Sequence, residues 1–372
     1  MRVVWLTNFI PPYRTTLLEN IAAHVEELIV IVNTDVEKNR LWSKENPSIN
    51  VIKQMGLSIK RSRRHKSGFK YSSYFYIPIG QIFLLKKLKA DVVFSAEMGL
   101  RTLFVILFAI FNKSCSVIIH FDGSIYTEID NLFIRALRVF MIKQASKILV
   151  NGEDGKKYII GLYPQAASKI DKIHYSCDNF KTHINKEDWD PKSPKFIYIG
   201  SLSERKGIYN FLEHLYRYSM QSDRSFVISI IGEEADFKHA DLKKFATEKI
   251  KISFYGFRQS LEIEEILSHQ DVCVVPSIAD SWSLVVNESL SLGVPVLGSN
   301  RSQAVSELIN QNNGWIFDPY SYESLERCLN NIVNISDREM GQLKTNCQLS
   351  VKMIDNSEIY KSYLSMFKRT VK

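Results

Sequence analysis

The sequence predicts an α/β protein in which two doubly wound domains follow one another. Short apolar strands alternate with helical patterns through the first half, and the same alternation starts afresh in the second half. Continuous apolar strands between helices are typical of a parallel sheet covered on both faces. The chain has 372 residues, 45% hydrophobic and 24% charged, which is more than one core usually organises. Two domains in series are therefore expected.

The elements can be read in chain order. The predicted strands of the first half are RVVWLT, ELIVIVN, ADVVFSAE, SVIIHFDG, KILVNG and KIHYS, and those of the second half are KFIYIGS, SFVISIIGEE, KISFYGF, DVCVVPS, VPVLGS and GWIFD. The polar, Pro-containing stretch His183–Lys195 predicts the boundary. We assign 1–185 to an N-terminal domain and 195–350 to a C-terminal domain. The final helix, 351–372, can pack on either domain. We expect it to pack back on the N-terminal domain.

Several classes of protein are disfavoured by composition. The five cysteines lie far apart with no C-x-x-C pair, which argues for a reducing compartment and against a disulfide framework or structural metal. The N-terminus lacks the pattern of a signal peptide, so a cytoplasmic location is expected. The apolar run 103–111 is far shorter than the roughly 20 residues that span a bilayer, and a buried helix is favoured over an interfacial segment. Neither half contains the G-x-G-x-x-G of a nicotinamide or flavin domain.

One segment makes the protein basic. The net charge is +8, yet 46–90 contains ten Lys and Arg and no acidic residue, so the rest of the chain sums to 8 − 10 = −2. Around Lys60 to Lys70 the cations are interleaved with aromatic residues, a mixture typical of proteins that rest on anionic headgroups. We expect contact with the inner face of a membrane, and a solvated basic loop is the simpler alternative. Nucleic acid is disfavoured because no helix-turn-helix, zinc or RNP pattern accompanies the segment.

Two strand ends carry candidate binding residues, because ligands of open α/β sheets bind outside the carboxyl ends of the strands. The loop GSLSERKG, 200–207, has small residues for a tight turn, and its Arg205 and Lys206 are suited to phosphate, although an ordinary polar loop would look similar. In the second loop, Asp280 precedes a helix whose first amides are suited to a diphosphate. Asp280 has a simpler interpretation as an N-cap. Glu288, two turns into that helix, reaches either solvent or ligand hydroxyls.

Together these motifs resemble a known family. GSLSERKG, SIIGEE, FYGF, DVCVVPSIADSWSLVVNESLSLGVPVLGS and NNGWIFDP occur in the order and spacing of the donor domain of retaining, family 4 glycosyltransferases with the GT-B fold. The resemblance is strong over 195–319 and weaker in the first half, through NFIPPYR and IIHFDGS. It implies two Rossmann-like domains facing across a cleft and transfer of a sugar from a nucleotide-diphosphate donor, as in bacterial cell-surface polysaccharide synthesis.

The resemblance also implies roles for donor-side residues. Asp280 and Glu288 occupy the two acidic positions of an E-x7-E element, the first contacting the transferred sugar and the second the ribose. Trp282, Ser283 and Leu284 match an aromatic residue followed by a turn whose amides face the diphosphate. The other donor-side matches are Gly200, which opens its loop, Ser201, which stands where an arginine is common, Arg205 as that arginine's substitute, Lys206 on the phosphate, and Gly232, Glu233, Tyr255 and Gly256 near the base.

On the acceptor side, Pro12 and Tyr13 match a first loop, and Arg14 is the residue expected to meet the acceptor. His120 resembles the histidine placed near the reacting sugar. Asp122 is a second candidate there. Without the resemblance, His120 is more simply a hydrogen-bonded core residue, and Asp122 a turn former.

The expected activity is that of a retaining, metal-independent glycosyltransferase without a cofactor, in which His120, Asp280 and Lys206 are catalytic. The expected acceptor is a lipid-linked glycan in lipopolysaccharide, O-antigen, capsule or exopolysaccharide synthesis. The departures from the family are Asp280 in place of glutamate, Ser201 in place of a common arginine, Ser283 in place of glycine, and PPYRTT, which lacks the paired glycines often seen after the first strand. The alternatives are a nucleotide-sugar 2-epimerase of the same fold and a catalytically silent nucleotide-sugar-binding subunit.

Overall fold

The computed structural model describes residues 1–35, 47–128, 131–176 and 189–371. Most of the predicted boundary, His183–Lys195, lies outside these residues. The chain forms two compact units. The N-terminal unit comprises Met1–Lys66, Tyr71–Asp178 and Ile354–Lys372, and the C-terminal unit comprises Ser67–Lys70 and Asn179–Met353.

Helices and strands alternate along the described residues. The strands are β1 (Arg2–Thr7), β2 (Glu27–Val32), β3 (Asn50–Lys53), β4 (Gly56–Arg64), β5 (Lys70–Pro78), β6 (Val92–Ala96), β7 (Ser116–Phe121), β8 (Lys147–Val150), β9 (Ile170–Lys172), β10 (Lys195–Ile199), β11 (Phe226–Ile231), β12 (Ile250–Gly256), β13 (Val272–Val275), β14 (Val296–Ser299) and β15 (Gly314–Phe317). The helices are α1 (Pro12–Ala22), α2 (Gln81–Leu88), α3 (Leu100–Phe111), α4 (Leu132–Gln144), α5 (Glu153–Leu162), α6 (Ile208–Gln221), α7 (His239–Lys243), α8 (Ser260–Ser268), α9 (Leu284–Ser291), α10 (Gln303–Leu308), α11 (Tyr322–Asn334), α12 (Asp337–Val351) and α13 (Asn356–Thr370).

The N-terminal unit is built on a seven-stranded sheet in the order β3-β2-β1-β6-β7-β8-β9, whose strand pairs are parallel. Nearly every residue of β1, β2 and β7 is buried, as expected for a parallel sheet covered on both faces. The strand order reverses between β1 and β6. Such a switch point is where open α/β sheets bind their ligands, outside the carboxyl ends of the strands.

The centre of the basic segment forms a two-stranded sheet, β4 with β5, rather than a loop. The five residues between the strands are too few for a parallel crossover, so the pair is a hairpin. Almost all of β4 is exposed. In the connection, His65 and Phe69 are buried, with 4% of each exposed. The hairpin thus presents most of its own cations to solvent, namely Lys60, Arg61, Arg64, Lys66 and Lys70.

The C-terminal unit repeats the doubly wound plan. Its six parallel strands have the order β12-β11-β10-β13-β14-β15, with the switch point between β10 and β13. The amphipathic helices α6 and α11 bury their apolar faces in its core. α12 packs on α9. The two loops that carry the donor-side motifs follow β10 and β13, the strands that flank the switch point.

The final helix, α13, belongs to the N-terminal unit and packs on α1. Asp355 caps it by accepting a hydrogen bond from the amide of Ser357. At its other end, the hydroxyl of Ser116 at the start of β7 donates to the carbonyl of Thr370 over 2.7 Å. None of the described helices is long and apolar enough to cross a membrane.

Two element predictions need correction. The predicted strand KIHYS is displaced: β9 ends at Lys172, and Tyr175 lies beyond it. Pro12 and Tyr13 are not in a loop, because α1 begins at Pro12. A proline is favoured at that position, where its missing N–H would have no helical partner.

Candidate functional site

Two glycines bring the loops around the C-terminal switch point together. A Cβ atom on Gly232, after β11, would lie 1.8 Å from the carbonyl oxygen of Gly200, after β10. Gly207 has a φ of +72°, and a Cβ there would lie 2.0 Å from the carbonyl oxygen of Pro276, after β13. Only glycine permits such close backbone approach. The carboxyl ends of three neighbouring strands are therefore packed against one another.

A cluster of charged groups spans this switch point. The ammonium of Lys206 donates to Oδ2 of Asp280 over 2.5 Å, and Nη1 of Arg205 lies 3.4 Å from Oδ1. The side chain of Asp280 is only 8% exposed, against 20% for Lys206 and 35% for Arg205. Burial opposes ionisation of the carboxyl, but the two cations and its hydrogen bonds outweigh burial and hold the pKa of Asp280 well below its usual range. The predicted phosphate-binding cations and the predicted sugar-binding carboxylate are thus brought together.

The turn that precedes α9 is held in a conformation unusual for serine. Ser283 has a φ of +86°, in the left-handed region that costs a non-glycine residue about 1–2 kcal/mol. Its hydroxyl donates to Oδ2 of Asp280, which also accepts from Ser277 over 3.3 Å. The hydrogen bond to the buried carboxylate helps to hold Ser283 in this conformation, at the position where the sequence resemblance led us to expect glycine.

The start of α9 differs from the prediction. The helix begins at Leu284, so Glu288 lies one turn into it rather than two. Trp282 and Ser283 are buried, with 3% and 8% exposed, and only Leu284 is partly open. Nε1 of Trp282 donates to Oδ1 of Asn287 over 2.9 Å. The indole therefore anchors the turn from inside the unit, and Glu288 is half-buried on the same helix.

The loops assigned to the nucleotide base lie at the ends of β11 and β12. The amide of Gly232 donates to the carbonyl of Gly256 over 2.8 Å, and the amide of Leu202 donates to the carbonyl of Glu233 over 2.9 Å. Glu233 is exposed and Tyr255 is half-buried. Ser201 has its carbonyl fixed by the hydroxyl of Tyr198 over 2.7 Å.

A second polar cluster lies at the carboxyl edge of the N-terminal sheet. Arg14, in the first turn of α1, donates to the hydroxyl of Tyr175 over 2.9 Å. The hydroxyl of Tyr175 also lies 3.5 Å from Oδ2 of Asp122, which is exposed. The guanidinium carbon is 5.9 Å from the ring centre of Tyr13 and 5.2 Å from that of Tyr175. The structure therefore groups three of the predicted acceptor-side residues.

His120 ends up deep in the same cluster. It is 1% exposed, and Nε2 donates to Oδ1 of Asn151 over 2.8 Å. The amide of Asn151 is oriented by the bond from Nδ2 to the carbonyl of Ile173, 3.0 Å away. Burial, followed by the charge of Arg14, lowers the pKa of His120 to about 4. The ring is therefore neutral near pH 7, with Nδ1 as an acceptor.

Sequence reasoning missed Asn151 and Tyr175. Asn151 directly follows the predicted strand KILVNG, so the rule that directs attention to strand ends would have selected it. Tyr175 was placed inside a predicted strand, where its side chain had no assigned role. Among the described residues, no group of three or more His, Cys, Asp or Glu side chains is placed to hold a metal ion.

The sequence is similar to those of known glycosyltransferases. Residues 179–347 match the family model described as glycosyl transferases group 1. The matched residues lie within the C-terminal unit. An uncharacterized glycosyltransferase of Methanocaldococcus jannaschii is 20% identical over 208 residues, which are 52% of this chain and 53% of that protein. Across the curated relatives that it matches, the chain spans between 30% and 53% of their length.

Solved structures show the fold over the whole chain. HepE of Anabaena in complex with UDP and glucose aligns with a TM-score of 0.71 at 16% identity, covering 99% of this chain and 100% of that one. The lipopolysaccharide outer core galactosyltransferase WaaB in its apo form aligns with a TM-score of 0.72 at 13% identity, covering 99% of each chain. The predicted GT-B fold, with two Rossmann-like units, is confirmed.

Proposed function

We propose that the protein is a retaining glycosyltransferase of family 4 that moves a sugar, a hexose or a related one, from a nucleotide-diphosphate donor to a glycan acceptor. The observation that carries the proposal is the cluster of Lys206, Arg205 and Asp280 beside the start of α9, at the switch point of a group 1 glycosyltransferase domain. Two cations that converge on one buried carboxylate are a pre-organised place for a phosphate.

The donor is proposed to bind by exchange at this cluster. Lys206 and Arg205 transfer part of their hydrogen bonding from Asp280 to the diphosphate, and the positive end of α9 adds to the attraction. Asp280 then has acceptor capacity for a hydroxyl of the sugar. Glu288, one turn along α9, is assigned to the ribose hydroxyls. Charge-assisted bonds of this kind are about twice as strong as neutral ones.

The proposed transfer step needs no protein base, because the leaving phosphate takes up the proton of the acceptor hydroxyl. The bond between the anomeric carbon and the diphosphate oxygen breaks, and its electron pair leaves with the diphosphate. The acceptor oxygen bonds to the anomeric carbon on the same face, and its proton passes to the leaving phosphate oxygen. Lys206 and Arg205 stabilise the charge that develops on that oxygen. We keep the proposal of metal independence because these two cations supply the charge that a metal would otherwise provide.

The acceptor is proposed to be a lipid-linked glycan of a bacterial cell-surface polysaccharide. One structural neighbour is WaaB, a lipopolysaccharide outer core galactosyltransferase, and a relative that is 27% identical over 116 residues is an uncharacterized protein of a Klebsiella pneumoniae cps region. The β4–β5 hairpin supports contact with a membrane face: Lys60 and Arg61 are exposed on it beside Leu57 and Ile59, which are 59% and 48% exposed. Cations flanked by apolar side chains suit an anionic lipid surface.

Purified protein should be incubated with a panel of nucleotide sugars, with and without membrane lipid extract, while release of nucleotide diphosphate is followed. Release that depends on extract for one donor is the expected result. Conversion of a donor to an epimer without extract would instead indicate a 2-epimerase. Binding without turnover across the panel would indicate a silent binding subunit and would contradict the proposal.

A further inference from the structure

One helix of the N-terminal unit is apolar on the side that faces away from the core. The apolar run 103–111 forms most of α3, and no residue of this run is polar or charged. Val105 is buried on the inner side, whereas Phe104 and Leu107 are partly exposed and Phe111 is 89% exposed. A helix that is apolar on every side is normally enclosed by protein or by lipid. The outer side of α3 therefore lacks the polar residues of a helix that faces water.

Topology puts α2, α3 and α4 in one layer on the same face of the N-terminal sheet. They lie in the connections from β3 to β6, from β6 to β7 and from β7 to β8, which all run in the same direction across the strand order. Because connections between parallel strands are almost always right-handed, the three helices cover the same face. α3 packs on both α2 and α4. The outward side chains of these three helices thus form one surface, the helical face.

Each helix of the helical face exposes a phenylalanine to solvent. Phe83 of α2, Phe111 of α3 and Phe133 of α4 are 80%, 89% and 76% exposed, and Leu132 beside Phe133 is 86% exposed. Within the part of the chain that the structure describes, no other phenylalanine is more than half exposed. A single apolar side chain on a surface needs no explanation, but a group of them on neighbouring helices indicates an interaction site.

Charge indicates which partner the helical face binds. The helices α2, α3 and α4 contain no Asp or Glu. Exposed lysines lie on or directly after them, namely Lys86, Lys87, Lys89, Lys113 and Lys143. A second copy of the chain would bring like charges together, because a two-fold interface places the same surface against itself. A lipid surface with anionic headgroups complements both the lysines and the apolar side chains.

We propose that the helical face binds a bilayer with anionic headgroups, and that Phe83, Phe111 and Phe133 insert below the level of the headgroups. The inference rests on the proposed function for its purpose, and it assigns the main membrane contact to the helical face rather than to the β4–β5 hairpin. α3 has 12 residues and is about 18 Å long, which is too short to cross a hydrocarbon core of about 30 Å. The helix therefore lies in the plane of the interface, with its apolar side towards the acyl chains.

The test is sedimentation with phosphatidylcholine vesicles, with and without phosphatidylglycerol, in the absence of any sugar donor. The wild type is compared with a double variant that combines Phe111→Ser with Phe133→Ser. Leu261→Ser is the matched control, since Leu261 is 80% exposed on α8 of the C-terminal unit. The wild type should bind the vesicles that contain phosphatidylglycerol. The double variant should have a partition coefficient at least about tenfold lower, because two apolar side chains no longer leave water, and the control should bind like the wild type.

Several outcomes would overturn the proposal. Vesicle binding by the double variant at the wild-type level, with native circular dichroism, refutes it. Loss of binding only when Lys60→Gln and Arg61→Gln are combined would assign the contact to the hairpin instead. A wild type that ignores vesicles and sediments as a dimer, which the double variant dissociates, would identify a second copy of the chain as the partner.

A second variant keeps the test decisive if the double variant does not fold. Lys86→Gln combined with Lys87→Gln removes two exposed charges from the helical face. Each lysine near an anionic surface contributes about fivefold to binding, so binding to phosphatidylglycerol vesicles should fall at least about tenfold. Unchanged binding by this variant refutes the proposal.

Failure of this inference is distinguishable from failure of the proposed function. Nucleotide diphosphate binding is measured by calorimetry for the wild type and the double variant, and we expect equal affinities. Loss of vesicle binding with nucleotide binding retained supports the helical face as a separate lipid-binding surface. Parallel loss of both would indicate a general defect and refute the assignment. A wild type that binds vesicles but transfers no sugar would contradict the proposed function and leave the helical face supported.

Discussion

Replacement of Asp280 by Asn should make the C-terminal unit less stable yet better at holding a diphosphate. Asp280 lies 2.5 Å from Lys206 and 3.4 Å from Arg205 and is 8% exposed. Breaking a fully buried ion pair costs about 3–5 kcal/mol. Since the Lys206 and Arg205 side chains are 20% and 35% exposed, hydration of the two cations compensates for part of that loss. We expect a loss of about 2 kcal/mol, or about 4–8 °C in Tm for a unit of this size.

The same change frees the two cations for an anion. Pyrophosphate and nucleotide diphosphate should bind Asp280→Asn more tightly than the wild type, while sugar transfer falls because the carboxylate that we propose as the sugar contact is gone. The assays are thermal unfolding, calorimetric binding and transfer rate, with Asp223→Asn as control because Asp223 is an exposed carboxylate of the same unit. Weaker diphosphate binding by Asp280→Asn, with the fold intact, would refute the exchange of partners at Lys206 and Arg205.

The stability difference also has a predictable pH dependence. The folded pKa of Asp280 is held well below its usual range, so its contribution is fully present above the unfolded pKa of about 3.9. It is lost as the pH falls below that value through the folded pKa. The gap between the wild type and Asp280→Asn should therefore be constant from pH 5 to 8, by about the same 2 kcal/mol.

Further predictions concern the fold. Gly232→Ala should unfold or grossly distort the donor loops, because its Cβ would lie 1.8 Å from the carbonyl oxygen of Gly200. Gly161 is the control: it lies in α5, and a Cβ there would meet nothing within 4 Å, so Gly161→Ala should raise the unfolding free energy, measured by denaturant titration, by up to about 1 kcal/mol. His120 has a folded pKa lowered to about 4, so wild-type stability should fall between pH 6.5 and 4, by about 3 kcal/mol, and His120→Gln should lack that slope in urea titrations at each pH. Deletion of 356–372 removes α13 from α1 and should lower protection of the N-terminal unit in hydrogen exchange, and native-like protection would contradict that packing.

Local pattern and topology explain what the sequence predicted well. Apolar strands and amphipathic helices gave two doubly wound sheets, and the rule that strand ends share one edge selected Lys206, Arg205 and Asp280. Asp280 follows Lys206 by 74 positions and Arg205 by 75, yet the three side chains meet because β10 and β13 are neighbours. Strand adjacency, and no local signal, brings them together.

The remaining features depend on tertiary context. The late start of α9 follows from Ser283, whose left-handed backbone is stabilised by a buried carboxylate that no local pattern reveals. The link from His120 to Asn151 joins two strand ends 31 residues apart, and its energetic effect depends on burial. The centre of the basic segment forms a hairpin, although its cations and aromatic residues alternate too irregularly to predict one.

The central claim is that sugar transfer takes place at the Lys206 and Asp280 cluster. The most direct measurement is incorporation of a labelled sugar from the cognate nucleotide donor into membrane lipid extract, with Lys206→Ala and the exposed control Arg135→Gln beside the wild type. Loss of one group that stabilises transition-state charge typically costs about 100–1,000-fold in rate. We predict a loss of that order for Lys206→Ala with native folding and a wild-type rate for Arg135→Gln, whereas a wild-type rate for Lys206→Ala would contradict the account.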